Sequence, residues 1–427
     1  MLKHRVLILG SGGREHTLAW KIAQSPVLEK LYIAPGNGGT AGMAENVQLN
    51  PLDFSQVSDF IIQQHIGILV VGPEEPLVKG IFDFLKAKSE HRNLIIVGPS
   101  MAGARLEGSK AWSKEFMLRH QIPTARYQTF TKETSGKALE FLKTLTPPYV
   151  IKASGLAAGK GVIITPDLSE AGKTIGDMLN GSFGEAGSEV VIEEFLEGIE
   201  VSVFVLTDGL HYVLLPEAKD YKRIGDKNTG PNTGGMGAVS PVPFAGDLFM
   251  QKVRQRIIEP TIEGLKKENI TYTGFIFFGL IKVNDEPYVI EYNVRMGDPE
   301  TQAVMPRLKN DLLELFVAMH HRELGQVQVG FQPHHAATVV LASGGYPGSY
   351  EKGYEISGEA QQEEGVFVFH AGTQLNQGKL ITSGGRVLAV TAVADHPERA
   401  REKVYAAVRR ISFQNSYCRS DIGEDLL

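Results

Sequence analysis

A chain of 427 residues is long for one hydrophobic core and points to two to four domains. With 42% hydrophobic and 22% charged residues its composition is ordinary for a globular protein, and a formal charge of −6 without a long Lys/Arg run argues against an electrostatic nucleic-acid binder. The single Cys418 cannot form an intrachain disulfide, Val6–Leu9 is too short for a signal peptide, and the longest apolar run, Phe275–Ile281, is too short to span a bilayer. A cytoplasmic protein that binds neither membrane nor nucleic acid is expected.

Residues 1 to about 104 repeat a strand–loop–helix pattern. Strands are expected at Arg5–Leu9, Leu31–Ala34, Ile66–Val71 and Leu94–Val97, with helices at Thr17–Gln24 and Leu77–Lys86. Such alternation builds a doubly wound parallel sheet, and ligands sit outside the carboxyl ends of its strands. Glycine-rich loops fall at those ends: Gly10–His16, Pro35–Thr40 and Gly72–Pro76. The first has Gly10-x-Gly12, but Glu15 occupies the third glycine position of a dinucleotide fingerprint, so nicotinamide binding is rejected. Gly12, Gly13 and Arg14 at a helix start suit a phosphate or sugar hydroxyls.

Ser109 reads as an N-cap, with Trp112, Phe116 and Arg119 at helical spacing after it. Lys110 stands in the first turn, where the helix dipole disfavours a cation, so a nearby phosphate is its best reason. Two short strands, 147–154 and 161–165, flank Gly155-Leu-Ala-Ala-Gly-Lys-Gly161. Three residues, not four, separate the first two glycines, and a strand follows, so this is a hairpin flap and not a Walker loop. Gly155, Gly159, Lys160 and Gly161 would close over phosphates at which Lys152 points. Val190–Glu200 leads from a strand through a turn, with Glu200 able to accept from ribose hydroxyls. Residues 218–237 form the longest stretch expected to lack secondary structure, read as an ordered anion-binding loop. Val253–Glu268 is expected as a helix and Tyr272–Val283 as a strand. Beyond about residue 330 the chain becomes strand-rich and turn-rich, with no catalytic constellation of its own.

The stretch Val289–Glu300 organises the rest. Alternation along a strand puts Val289, Glu291, Asn293 and Arg295 on one face and Ile290, Tyr292 and Val294 in the core. Glu291 and Asn293 would then stand about 6–7 Å apart, able to share hard cations that bridge a polyphosphate. Arg295 follows where a developing anion needs a fixed donor.

Taken together, these motifs resemble the ATP-grasp ligases, and within them the glycinamide ribonucleotide synthetase family. The resemblance covers essentially the whole chain and is carried by Gly10–His16, Pro35–Thr40, Gly72–Leu77, Lys222–Gly237 and Asn293–Gln302. It implies a doubly wound N-terminal substrate domain (1–104), an ATP-grasp domain (105–330, flap unit about 122–192) and a strand-rich C-terminal domain (331–427). It implies ATP with Mg2+ or Mn2+, glycine and 5-phosphoribosylamine as substrates, and a monomer with this one activity. Lys110 and Lys152 are implied as phosphate ligands, Glu193, Phe195 and Leu196 as the adenine-contacting hinge, Glu200 as the ribose contact, and Glu291 and Asn293 as metal ligands. The further acidic ligand of many ATP-grasp enzymes has no counterpart in Phe277–Ile281, and Glu75 and Met296 depart from the family pattern. Asp220, Lys222 and Arg223, with Gly12, Gly13 and Arg14, would hold the sugar phosphate. Gly297 would bind substrate, Asp298 a substrate amino group, and Arg295 the oxyanion or glycine carboxylate. Lys152, Arg295 and Asp298 are the catalytic candidates. The competing expectations are a carboxylase-type enzyme acting on bicarbonate and a non-catalytic nucleotide-binding protein.

Overall fold

A computed structural model describes residues 3–157, 161–358 and 363–427. Gly159 and Lys160 of the expected flap lie outside the described residues.

Strands β1 (His4–Gly10), β2 (Leu28–Pro35), β3 (Glu45–Asn46), β4 (Ile68–Val71) and β5 (Ile95–Val97) form the expected parallel sheet, in the order β3-β2-β1-β4-β5. β1 and β4 are apolar almost throughout because helices cover both faces of the sheet. The direction of winding reverses at β1, so the crevice for a ligand would open between the ends of β1 and β4. Glu15 fills it. A Cβ on Gly10 would lie 2.5 Å from Glu15 Cγ, and one on Gly72 would overlap the Glu15 carboxylate. A residue that interrupts the glycine fingerprint thus also plugs the dinucleotide crevice. The following helix, Gly13–Ile22, starts four residues earlier than expected, because Glu15 folds back onto the Gly12 N–H (2.6 Å) and caps it. The single helix expected at Leu77–Lys86 is two, Glu74–Val78 and Ile81–Lys86, broken at Gly80.

β6 (Tyr127–Thr131), β7 (Tyr149–Ala153), β8 (Val162–Thr165) and β9 (Glu189–Glu194) form an antiparallel sheet in the order β6-β9-β7-β8. It has its own core, including Phe130, Leu142, Ile151, Ile175 and Ile192. β10 (Ile199–Thr207) and β11 (Tyr212–Leu214) begin a second antiparallel sheet.

Residues 218–237 correct the expectation of a stretch without secondary structure. They contain β12 (Lys219–Asp220), a hairpin of β13 (Arg223–Gly225) with β14 (Thr229–Asn232), and the start of β15 (Gly237–Ser240). Few apolar side chains occur in the hairpin, so no periodicity betrays it. β15 pairs with the strand His335–Ser343, so this stretch joins the C-terminal sheet.

The helical run expected at Val253–Glu268 begins earlier, at Asp247, and continues to Lys267 through one widened turn. β16 (Gly274–Val283) and β17 (Glu286–Asn293) complete the sheet β11-β10-β16-β17. Asn284 and Asp285 both take positive φ (47° and 64°), as a tight two-residue hairpin turn demands. β17 then departs from simple alternation. Glu291 pairs with Gly279 but Val289 with Leu280, which leaves Ile290 as an extra residue, a β-bulge. The side-chain parity flips there. Val289, and not Ile290, joins Tyr292 and Val294 in the core.

β18 (His335–Ser343), β19 (Val366–His370), β20 (Thr373–Asn376), β21 (Lys379–Thr382), β22 (Arg386–Ala394) and β23 (Ser416–Tyr417) make the C-terminal region strand-rich as expected. The main sheet runs β12-β15-β18-β22-β19 and is covered by the helix Pro397–Val408, whose Ala400, Val404 and Ala407 pack on it. Among the described residues no helix is long and apolar enough to cross a membrane.

Candidate active site

Lys152 sits in the middle of β7, buried, with its ammonium 2.9 Å from Glu193 Oε1 on the adjacent β9. The other Glu193 oxygen lies 3.0 Å from Lys114, a residue of the helix Lys110–Arg119. Burial works against the Glu193 carboxylate, but the two lysines outweigh it and hold its pKa below the ordinary glutamate value. Both oxygens of the Glu193 side chain, expected in the adenine-contacting hinge, thus lie within 3.0 Å of a lysine ammonium. Phe195 is exposed and Leu196 half-buried in the turn that follows β9. Lys152 Nζ also donates to the Ile290 carbonyl at 3.4 Å. The bulge in β17 thus joins the two antiparallel sheets at the point where Lys152 and the Glu291 face meet.

Lys110 stands at the start of its helix, capped by Ser109, and donates to the Gly155 carbonyl at the base of the flap (3.2 Å). Burial lowers its pKa, with Glu291 opposing and Lys152 reinforcing that shift. Lys110, Lys152 and Glu291 are thus close enough to feel one another's charge. Gly161, at the far side of the flap, accepts from the Ala153 N–H at 2.8 Å.

Among the described residues no group of three His, Cys, Asp or Glu side chains could enclose a metal. Glu291 and Asn293 offer one carboxylate and one amide, and the strand opposite offers only Gly279 and Phe277. This donor set fits a magnesium-like ion that keeps its waters and takes its remaining ligands from substrate phosphates. It does not fit an all-protein cage.

Beside Glu291, Lys222 Nζ donates to Glu200 Oε2 at 2.7 Å. Burial would lower the Lys222 pKa, but Glu200, Asp220 and Glu291 raise it well above its ordinary value. Asp220 is pushed up by burial, with Glu200 and Glu291 adding to the effect. Arg223 does not join them. Its guanidinium turns back to the Gly230 carbonyl of its own hairpin (2.8 Å). Glu200 therefore meets a lysine expected on the sugar-phosphate side, and no gap separates the two sets of candidates.

The substrate side is assembled from four distant segments. Arg14 is buried, its Nε on Glu15 (2.7 Å) and its Nη1 on the Met296 carbonyl (3.2 Å). Asp298 Oδ2 accepts from the Arg14 N–H at 3.3 Å and Oδ1 from Gln302 at 2.9 Å. Gly297 packs its Cα face against the Glu300 carboxylate. The N–H groups of Gly12 and Arg14 are thus taken by Glu15 and Asp298, and the expected phosphate cradle at this helix start is already filled by carboxylates. Burial pushes the Asp298 carboxyl up, but Arg386 and Arg14 outweigh it and hold the group below its ordinary pKa. Arg295 donates to Glu107 at 2.7 Å and lies 3.4 Å from Glu74, with its Nε lacking a hydrogen-bond partner. Burial raises Glu107 to about 7, against the pull of Arg295.

Sequence reasoning missed several of these groups. Lys114 had one signal, its place one turn after Lys110 on the same helix. Glu74 lies in the Gly72–Pro76 loop at a strand end, and Glu107 had no signal. Arg386 follows Gly384 and Gly385 in the turn-rich C-terminal region; it donates to the carbonyls of Gly234 (2.6 Å) and Asp298 (2.6 Å) and so gives that region a place at the site. The Pro35–Thr40 loop, read as ligand-facing, docks the same region. Asn37 donates to the His370 carbonyl (2.8 Å), Gly38 to that of Thr373 (3.2 Å), and the His370 N–H donates to His16 Nδ1 (2.8 Å). Gly39 packs so closely that a Cβ would fall on both His16 and His370.

Comparison with known proteins agrees with this architecture along the chain. Residues 4–107, 108–301 and 336–425 match the N domain, the ATP-grasp (A) domain and the C domain of phosphoribosylglycinamide synthetase. A phosphoribosylamine–glycine ligase of Escherichia coli K12 is 47% identical, with 98% of each chain covered. A bifunctional purine biosynthetic protein of Pichia angusta is 48% identical over 99% of this chain, which spans 54% of its length. The crystal structure of a phosphoribosylamine–glycine ligase from Thermotoga maritima superposes with a TM-score of 0.82 at 35% identity, covering 98% of this chain and 100% of that one. With three domain profiles matched in order and near-complete coverage at this identity, the chain belongs to the phosphoribosylglycinamide synthetase family.

Proposed function

We propose that this protein joins glycine to 5-phosphoribosylamine at the expense of ATP, giving glycinamide ribonucleotide, ADP and phosphate. The observation that carries this reading is the meeting of Lys152 with the bulged strand of Glu291 and Asn293, which brings phosphate-binding cations and a metal face to one cleft. In this reading a glycine carboxylate oxygen attacks the γ-phosphorus, the bond to the β-phosphate oxygen breaks, and glycyl phosphate and ADP form. The amine of 5-phosphoribosylamine then attacks the acyl carbon, loses a proton, and the acyl C–O bond to phosphate breaks. Phosphoryl transfer of this kind needs placement and charge neutralisation more than a nucleophilic side chain.

Lys110 and Lys152 hold the phosphates, beside Gly155 at the start of the glycine-rich segment. Glu291 and Asn293 would hold Mg2+ or Mn2+, which neutralises phosphate charge when bound. Phe195 and Leu196, in the turn after β9, lie where the base would stack, and Glu200 beside Lys222 reaches the sugars. Arg295 stabilises the anion that develops at the acyl carbon. Gly12, Gly13, Arg14, Gly297 and Asp298 serve this reading mainly as the frame that keeps Arg295 and the Asp220–Lys222 pair in place. The same proposal divides the chain at about residues 104 and 330. Cytoplasmic location and a monomeric state belong to it as well.

The deciding experiment is ADP release with ATP, magnesium and 5-phosphoribosylamine generated in situ, with and without glycine. ADP that requires both glycine and the amine is the expected result. ADP that ignores glycine and responds to bicarbonate would move the chain to a carboxylase reaction. Folded protein that binds ATP and releases no ADP under any pairing would leave a non-catalytic binding protein.

A further inference from the structure

The buried cluster of Lys114, Glu193 and Lys152 has one charge too many for a simple core ion pair. Two ammonium groups share one carboxylate, 3.0 and 2.9 Å from its two oxygens. All three side chains are almost fully removed from water. A buried pair of Lys152 and Glu193 alone would be neutral, and approaching phosphates would meet a dipole instead of a cation. With Lys114 included, the cluster keeps a net charge of +1, and only Lys152 faces the β17 bulge beside Glu291.

Lys114 cannot supply that charge by touching a ligand. It is 2% exposed, and its remaining bond goes to Thr124 Oγ1 (2.6 Å), which in turn donates to the Val289 carbonyl (2.7 Å). The ammonium is thus bolted to β17 on one side and to β9 on the other. Burial draws its pKa down to about 8, with Glu193 opposing, so it remains largely charged at neutral pH.

We infer that Lys114 is a positioning residue for Lys152: it cancels the charge of Glu193, so that the carboxylate orients Lys152 without neutralising it toward the nucleotide phosphates. This inference rests on the nucleotide-binding part of the reading above. It predicts a specific pattern among variants. In Lys114→Met, Glu193 neutralises Lys152. In Lys114→Met/Glu193→Gln, the surplus charge returns to Lys152 although one more native group has been removed.

The test measures displacement of a fluorescent ADP analogue by MgATP, together with kcat and KM for each substrate and the thermal midpoint of each variant. Lys114→Met is expected to weaken nucleotide affinity about tenfold or more, the scale of a broken buried charge pair, with KM for glycine within about twofold of wild type. The double variant is expected to recover most of that loss, and Lys114→Arg to stay within about threefold of wild type. Should Lys114→Met fail to fold, the double variant, which keeps the native +1 on Lys152, is compared directly with Lys114→Arg, and affinities within about threefold of each other support the inference. Wild-type affinity in Lys114→Met, or a double variant weaker than the single, would overturn it. Wild-type protein that binds nucleotide but ligates nothing removes the proposed reaction and leaves this inference to be judged on affinity alone.

Discussion

The proposed nucleotide side and the proposed substrate side are built in opposite ways. On the nucleotide side, Lys110, Lys114, Lys152, Glu193 and Glu291 lie on one helix and three strands of two antiparallel sheets, all within one family domain. Cross-strand pairing sets their spacing. On the substrate side, Arg14, Arg295, Asp298 and Arg386 come from a helix start, two turns of one loop and the start of β22 in the C-terminal sheet. No sheet register relates them; they meet because three units dock. The difference teaches that the first half is held by local geometry and the second by interfaces. Damage to an interface should therefore affect one and spare the other.

The largest effect is expected on the nucleotide side. Lys152→Met should lower turnover by about a hundredfold or more, the scale of losing one preorganised charge at a phosphoryl group. Steady-state ADP release checks it, and a loss under threefold would remove Lys152 from the phosphate site. Next, Arg386→Ala should raise KM for the phosphoribosylamine about tenfold, near 1.4 kcal/mol, while nucleotide affinity stays as in wild type. Equal losses on both sides would erase the comparison.

Gly39→Ala tests the docking surface itself. The new methyl would collide with His16 and His370, and overpacking of this kind typically costs about 1–3 kcal/mol, read as a lowered urea midpoint. Nucleotide affinity in the folded protein should not change. The smallest effect at neutral pH belongs to His16→Asn. Burial, with His370 adding, lowers His16 to about 3, consistent with its unprotonated Nδ1 accepting from His370 N–H. The folded-state value lies below the unfolded one, so the stability this group contributes is present above about pH 6.5 and is lost as pH falls toward 3. Asparagine can accept the same bond without titrating. Its thermal midpoint should fall less than that of wild type between pH 7 and pH 5, and parallel curves would dismiss His16 as the acid-sensitive group.

Much of the proposed nucleotide side can be read from the sequence. Lys110 stands out by its unfavourable place at a helix start, and Glu291 and Asn293 by their spacing on one strand. The bulge at Ile290 was not legible, because an extra residue in one strand is defined only against its partner, Leu280–Gly279. The hairpin Arg223–Asn232 escaped notice for want of apolar alternation, and Arg386 because a single arginine after Gly-Gly looks like any turn.

The amino-acid sequence by itself determined the alternation that makes a parallel sheet, the order of its glycine-rich ends, the presence of Glu15 where a dinucleotide would need glycine, and the polar face of β17. These follow from local sterics and periodicity, which act between near neighbours in the chain. Tertiary structure alone decided that Glu15 fills the crevice, that Glu193 serves two lysines, that β12 and β15 join the C-terminal sheet, and that Arg386 reaches Asp298. Those outcomes depend on which surfaces bury one another and on charges compensated between residues tens of positions apart, and no local window along the chain contains both members of such a pair.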